Sequence, residues 1–217
     1  MRDLLPASVA VAVAAEADFT GELHPAERAC LSPSAVENRR REFTAGRVCA
    51  RRAMTALGLP VAPVISRDRA PVWPDGTIGS ITHTAGYCAA VVAHRHDVRA
   101  VGIDAEQHRA VGEGVARVIC LPEELDWCAT APGALHWQAV IFSAKESVYK
   151  LWHPLAGSWL GFEEARVQPD PATGTFTAFL DPDRHDEAAA HGIPRELTGR
   201  FAVADGLVRT ALYLPAR

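Results

Sequence analysis

The sequence predicts a mixed α/β fold of the α+β kind, and three observations carry that prediction. Two long segments, about Ala35 to Leu57 and about Gly133 to Trp152, repeat apolar residues at helical spacing. Short runs rich in Val, Ile and Ala lie before and between them, with strand character. An Asp205-Gly206 pair between two apolar runs marks a β-hairpin near the C-terminal end. With 217 residues and 48% hydrophobic content, the chain can bury a core without disulfides or structural metal, as one large domain or two small halves.

Leu4 to Ala15 is apolar and ends in small residues, as a secretory leader would, yet it reads as a strand. Val9, Val11 and Val13 alternate with alanines, Pro6 interrupts the run, and Arg2 is cancelled by Asp3. Ser34 with Glu37 forms a capping-box pattern, and Gly58 with Pro60 forms a stop, which bracket the first helix. Its apolar stripe is Val36, Phe43, Ala50, Met54 and Leu57. Arg40, Arg47 and Arg51 flank that stripe and are expected to be semi-buried, whereas Arg41 and Arg52 point away.

A loop from Pro60 to Gly79 leads into Ser80-Ile81-Thr82-His83, and strands follow at about Cys88 to Ala93 and Val98 to Ala105. Val115 to Leu121 is an apolar segment ahead of a capping pattern near Pro122. The second helix is expected to end at Pro154 and to pack through Trp137, Ile141, Ala144, Val148 and Leu151. The remainder reads as strands, closing with a hairpin between Arg200 to Ala204 and Leu207 to Leu214.

Composition narrows the function. No stretch approaches the roughly 20 apolar residues of a membrane span. A formal net charge of -4 argues against bulk attraction to nucleic acid or an acidic membrane, so an anionic ligand must be held by local patches. Five cysteines, none in a Cys-x-x-Cys pair, suit a reducing cytoplasm. Of the 22 basic residues, only Lys145 and Lys150 are lysine; two point charges in an otherwise arginine-using chain suggest a dedicated task.

Asp104 and Glu106 lie two apart at a strand end, so their side chains leave one face about 7 Å apart at their bases and can share a hard cation. Alone, such a pair also describes a solvated turn. Glu146 and Lys150, one helical turn apart, equally describe a surface ion pair. His83 alone is as well read as a structural histidine, and Ser80, His83 and Asp104 lack the Gly-x-Ser-x-Gly setting of a hydrolase triad.

Taken together the motifs are more specific. Val101-Gly102-Ile103-Asp104-x-Glu106, followed after a spacer by Phe142-Ser143-Ala144-Lys145-Glu146-Ser147-Val148-Tyr149-Lys150, resembles the paired signature of the 4'-phosphopantetheinyl transferase superfamily. Trp73-Pro74-Asp75-Gly76 and Gly79-Ser80-Ile81-Thr82-His83 with Gly86-Tyr87 resemble its surfactin/enterobactin-type, actinobacterial branch, the long monomeric class. The similar segments span about Arg39 to Phe162.

The resemblance implies a pseudo-twofold pair of halves, 1–105 and 106–217, each a helix on a small, mostly antiparallel sheet, with the active site in the cleft between them. It implies that Asp104, Glu106 and Glu146 hold magnesium, or manganese in its place, and that Glu146 and Lys150 act in catalysis. Lys145, Lys150, Thr82, His83, Arg40, Arg47 and one of Arg67 or Arg69 would contact coenzyme A. The implied reaction moves phosphopantetheine from coenzyme A to a serine of an apo carrier protein or carrier domain, with no nucleic-acid or membrane partner, in a monomer. That carrier is expected to dock on about Val115 to Trp127, although those residues equally suit a local core. Two other readings use the same residues: a magnesium-dependent hydrolase of a coenzyme A or nucleotide diphosphate, and a non-catalytic coenzyme A or carrier-binding module.

Overall fold

The structure is a computed structural model describing residues 1–67 and 70–216. The chain divides into two compact units, one built on Pro6–Val101 and one on Gly102–Tyr213.

In the first unit, helix α2 (Glu37–Ala56) lies on a three-stranded antiparallel sheet of order β1 (Val9–Val13), β5 (Tyr87–His94), β4 (Thr77–Thr84). Strand β1 forms where expected, but the face it offers the helix is Ala10 and Ala12, which join Cys49, Ala50, Ala53, Met54 and Val92 in the core. Small residues let helix and sheet approach closely, and Val13 is left exposed. The short helix α1 (Pro25–Arg28) precedes α2.

Helix α2 begins two residues later than its capping pattern predicts. Ser34 bonds to Ser32 instead, and Arg40 donates to the carbonyls of Pro33 and Ala35, so the turn folds back and Val36 becomes the N-cap. The helix stops at Gly58, whose φ of 67° needs no Cβ. The segment read as a loop holds a small antiparallel hairpin, β2 (Ile65–Arg67) and β3 (Ala70–Val72). Arg69 lies outside the described residues.

The chain passes from one unit to the other within β6 (Val98–Gln107). The five-stranded sheet has the order β6, β10 (Leu207–Pro215), β9 (Glu196–Ala204), β8 (Thr175–Leu180), β7 (Ala165–Asp170). Helices α3 (Glu113–Ile119) and α4 (Pro122–Thr130) lead to α5 (Trp137–Ala156), and α6 (His185–Ala190) follows β8. Trp137, Ile141, Ala144, Val148 and Leu151 are buried, as the periodicity predicts. The hairpin at Asp205-Gly206 is present, both residues at positive φ.

Helix α5 does not end before Pro154. It runs through the proline to Ala156 and closes on Gly157 in the left-handed region, whose N–H returns to His153. A proline in the last turn removes only the one bond back to residue 150, which is why the helix survives it. Among the described residues no helix is long and apolar enough to cross a membrane.

Candidate active site

Gly102 sets the distance between strand β6 and helix α5. A Cβ at this position would run into the carbonyl oxygen of Ser147, so only glycine lets the strand pass so near the helix. Asp104 and Glu106 therefore emerge beside Glu146 and Lys150. Lys150 Nζ donates to Asp104 Oδ1 at 2.6 Å; Asp104 is buried, and the lysine side chain keeps 26% of its surface in water.

Three carboxylates share this field. Burial pushes Glu106 up to about 7, the charge of Asp104 adds to it, Lys150 opposes it, and Glu146 adds a further push. Burial also raises Glu146, against Lys150 and with a contribution from Asp104. Among the described residues no three acidic, His or Cys side chains are drawn into a ready-made ligand cage. The donor set nevertheless fits magnesium: it is all oxygen, its charges repel one another, and a cation that keeps waters and substrate oxygens needs few protein ligands.

In the first unit, the candidate anion contacts fare differently. His83 is exposed on β4, its Nδ1 3.4 Å from Glu42 and its Nε2 3.4 Å from an Arg39 nitrogen. Thr82 is buried beside it in sequence. Arg47 is more buried than expected: its Nε donates to Val64 O at 2.9 Å, its guanidinium lies 3.9 Å from the centre of the Phe43 ring, and burial lowers it to about 10. Arg40 is committed to the turn before α2, while Arg67 is exposed at the end of β2. A concave surface of about 430 Å³ is lined by Cys30, Ser32, Arg39, Phe43 and Ser66.

Two family models match the chain: the 4'-phosphopantetheinyl transferase N-terminal domain over residues 26–93, and the 4'-phosphopantetheinyl transferase superfamily over residues 100–204. The 4'-phosphopantetheinyl transferase Npt of Nocardia iowensis is 42% identical over 96% of this chain and 97% of its own length. The chain belongs to the 4'-phosphopantetheinyl transferase superfamily. The 4'-phosphopantetheinyl transferase PptT of Mycobacterium tuberculosis is 46% identical over 87% of this chain and 85% of its own, and enterobactin synthase component D of Salmonella typhi is 33% identical over 64% and 59%. The expected fold class and family are thus borne out.

The structure of this transferase also shows what sequence reasoning missed. Arg39, one position before the arginine singled out, is the one that stands beside His83 and lines the concave surface. Adjacent positions on a helix differ by about 100°, and Arg39 stands one turn before Phe43, with its guanidinium 5.8 Å from the centre of that ring. Tyr149 lies near enough to Glu146 for that charge to add to burial in raising its phenol, and its ring is 4.8 Å from the exposed Trp159. An apolar ring left 66% in water is the available signal for that second feature. Lys145, expected on phosphate, is 3% exposed.

Proposed function

We propose that this enzyme transfers 4'-phosphopantetheine from coenzyme A to a serine of an apo acyl or peptidyl carrier protein, with magnesium held by Asp104, Glu106 and Glu146. The observation that carries the reading is the convergence of two carboxylates from β6 with a carboxylate and a lysine from α5, the Lys150 to Asp104 pair spanning 2.6 Å. Magnesium bound there supplies positive charge against the diphosphate. The serine oxygen attacks the β-phosphorus, the bond to the bridging oxygen breaks, and 3',5'-ADP leaves. Glu146, raised by burial, is suited to take the serine proton, directly or through a water. Lys150, partly solvated and one turn along the helix, is suited to stabilise charge on the phosphoryl oxygens as it grows.

Arg39, His83 and the exposed Arg67 are the residues of the first unit best placed to receive the phosphates of coenzyme A, since Arg40 and Arg47 already donate to backbone carbonyls. For the carrier, α3 offers Val115 and Val118, 57% and 69% exposed, on a helix whose Ala116 and Ile119 are buried. An apolar surface of this kind suits the apolar patch of an acidic carrier domain. Intact-mass measurement of an apo carrier incubated with coenzyme A, magnesium and the enzyme tests the reading. Gain of one phosphopantetheine arm supports it. Release of 3',5'-ADP with no change in carrier mass would instead support hydrolysis.

A further inference from the structure

We infer that Lys145 is a positioning residue, clamping the α3–α4 segment to α5 one position before Glu146, and that it is not a phosphate contact. Its ammonium group has three protons, and all three are given inside the protein: to Ile119 O at 2.9 Å, Glu124 Oε2 at 2.7 Å and Phe162 O at 2.8 Å. Glu124 is engaged just as fully. Its Oε2 also accepts the N–H of Leu121 at 2.7 Å, and its Oε1 accepts the N–H of Val167 in β7 at 2.6 Å. Both side chains are 2% exposed. A phosphate could reach Lys145 only by dismantling this network.

An independent observation supports the assignment, because the first unit builds the same assembly. Short helix α1 has Pro25 at its first position and closes a capping box with Glu27, as α4 does with Pro122 and Glu124. Glu27 Oε2 accepts the N–H of His24 at 3.0 Å, and its Oε1 accepts the N–H of Val64 at 3.0 Å. The cation from the long helix is Arg51 on α2, paired with Glu27, which is fully buried. Proline, capping glutamate, β-strand or pre-strand amide, and long-helix cation recur in the same roles. A device built twice is scaffold, and Lys145 pairs with the capping glutamate of the second unit as Arg51 pairs with that of the first. Lysine suits the second copy because its three protons point to acceptors from three separate segments.

The clamp still bears on the reaction. Ile119 O belongs to the last residue of α3, the helix that presents Val115 and Val118, and Lys145 is the peptide neighbour of Glu146. Loosening it shifts the docking helix and the catalytic carboxylate while leaving the coenzyme A phosphates their own contacts. This part rests on the transfer reaction proposed above.

The test uses two variants of the full chain. Lys145→Met leaves Glu124 buried without its cation, so a lowered melting temperature is expected; Lys145→Met with Glu124→Gln removes the buried charges, keeps an amide oxygen for one of the two backbone donors, and is expected to recover part of that loss. Calorimetry with coenzyme A in the presence of chelator, so that Glu146 cannot act through metal, and without carrier should give the double variant a Kd within about twofold of the wild type. The carrier KM should rise about tenfold and kcat should fall. A coenzyme A Kd weakened about tenfold or more in the folded double variant would establish a phosphate contact and overturn the inference. Unchanged carrier KM and kcat would overturn it as well. A wild type that transfers nothing to carrier defeats the proposed reaction, and the coenzyme A arm still decides between clamp and contact.

Discussion

Lys150 reaches past Glu146, its neighbour one turn back on α5, and donates instead to Asp104 on β6 at 2.6 Å. The pair joins strand end to helix and partly neutralises a site where three carboxylates crowd. Removal of either charge therefore has consequences at the others.

Asp104→Asn and Glu146→Gln are expected to lower transfer by about 100-fold or more while the protein stays folded, since each removes a candidate ligand or base from a site with few replacements. Chelation should act on the wild type in the same way. Carrier modification by mass spectrometry together with melting temperature checks both, and full modification by both variants in the presence of chelator would defeat the metal assignment.

Glu106→Gln should raise the melting temperature of the metal-free protein at pH 8 and abolish the stabilisation that magnesium gives the wild type. The sign follows from its raised proton affinity. A carboxyl whose folded value stands at about 7 against an ordinary 4.5 contributes stability that is present below pH 4.5 and lost as pH rises through about 7. The glutamine variant lacks that loss, so the gap between the two melting curves should widen from pH 5 to pH 8.

Lys150→Met should lower kcat more than it raises the coenzyme A KM, because the charge is most useful as the diphosphate bond breaks. Lys150 also holds down the proton affinities of Glu106 and Glu146. Without it both rise, so the acidic limb of the pH–rate profile should move to higher pH. An unmoved limb would show that neither carboxylate controls it.

Arg39→Ala is expected to raise the coenzyme A KM with little change in melting temperature, because Arg39 is exposed beside His83. Arg47→Ala should instead lower the melting temperature, since its guanidinium is packed on Phe43 and bonded to Val64 O in the interior. A coenzyme A KM indifferent to Arg39→Ala would remove Arg39 from the anion patch.

Val118→Asp should raise the carrier KM and leave the coenzyme A KM and the melting temperature unchanged, because Val118 is 69% exposed and lends nothing to the core. Arg117→Glu tests the same face by charge, placing two glutamates where Arg117 now pairs with Glu113. Equal loss in both Michaelis constants would argue against docking on α3.

The sequence by itself determined the parts that depend on local pattern. Helical spacing of apolar residues marked both long helices and the buried face of α5, alternation marked β1, and Asp205-Gly206 marked the last hairpin. The paired motifs pointed to the family and to Asp104, Glu106, Glu146 and Lys150 together. Tertiary structure decided the rest, because a periodic pattern says which face is apolar and nothing of what will cover the other face. Lys145 lies beside the apolar stripe and is nonetheless buried, since α3, α4 and the turn at Phe162 bring three oxygen acceptors over it. Arg39 stands beside His83, while its neighbour Arg40 is taken up by the carbonyls of Pro33 and Ala35. Hydrogen bonds outside the helix made both decisions, and no helical spacing encodes them.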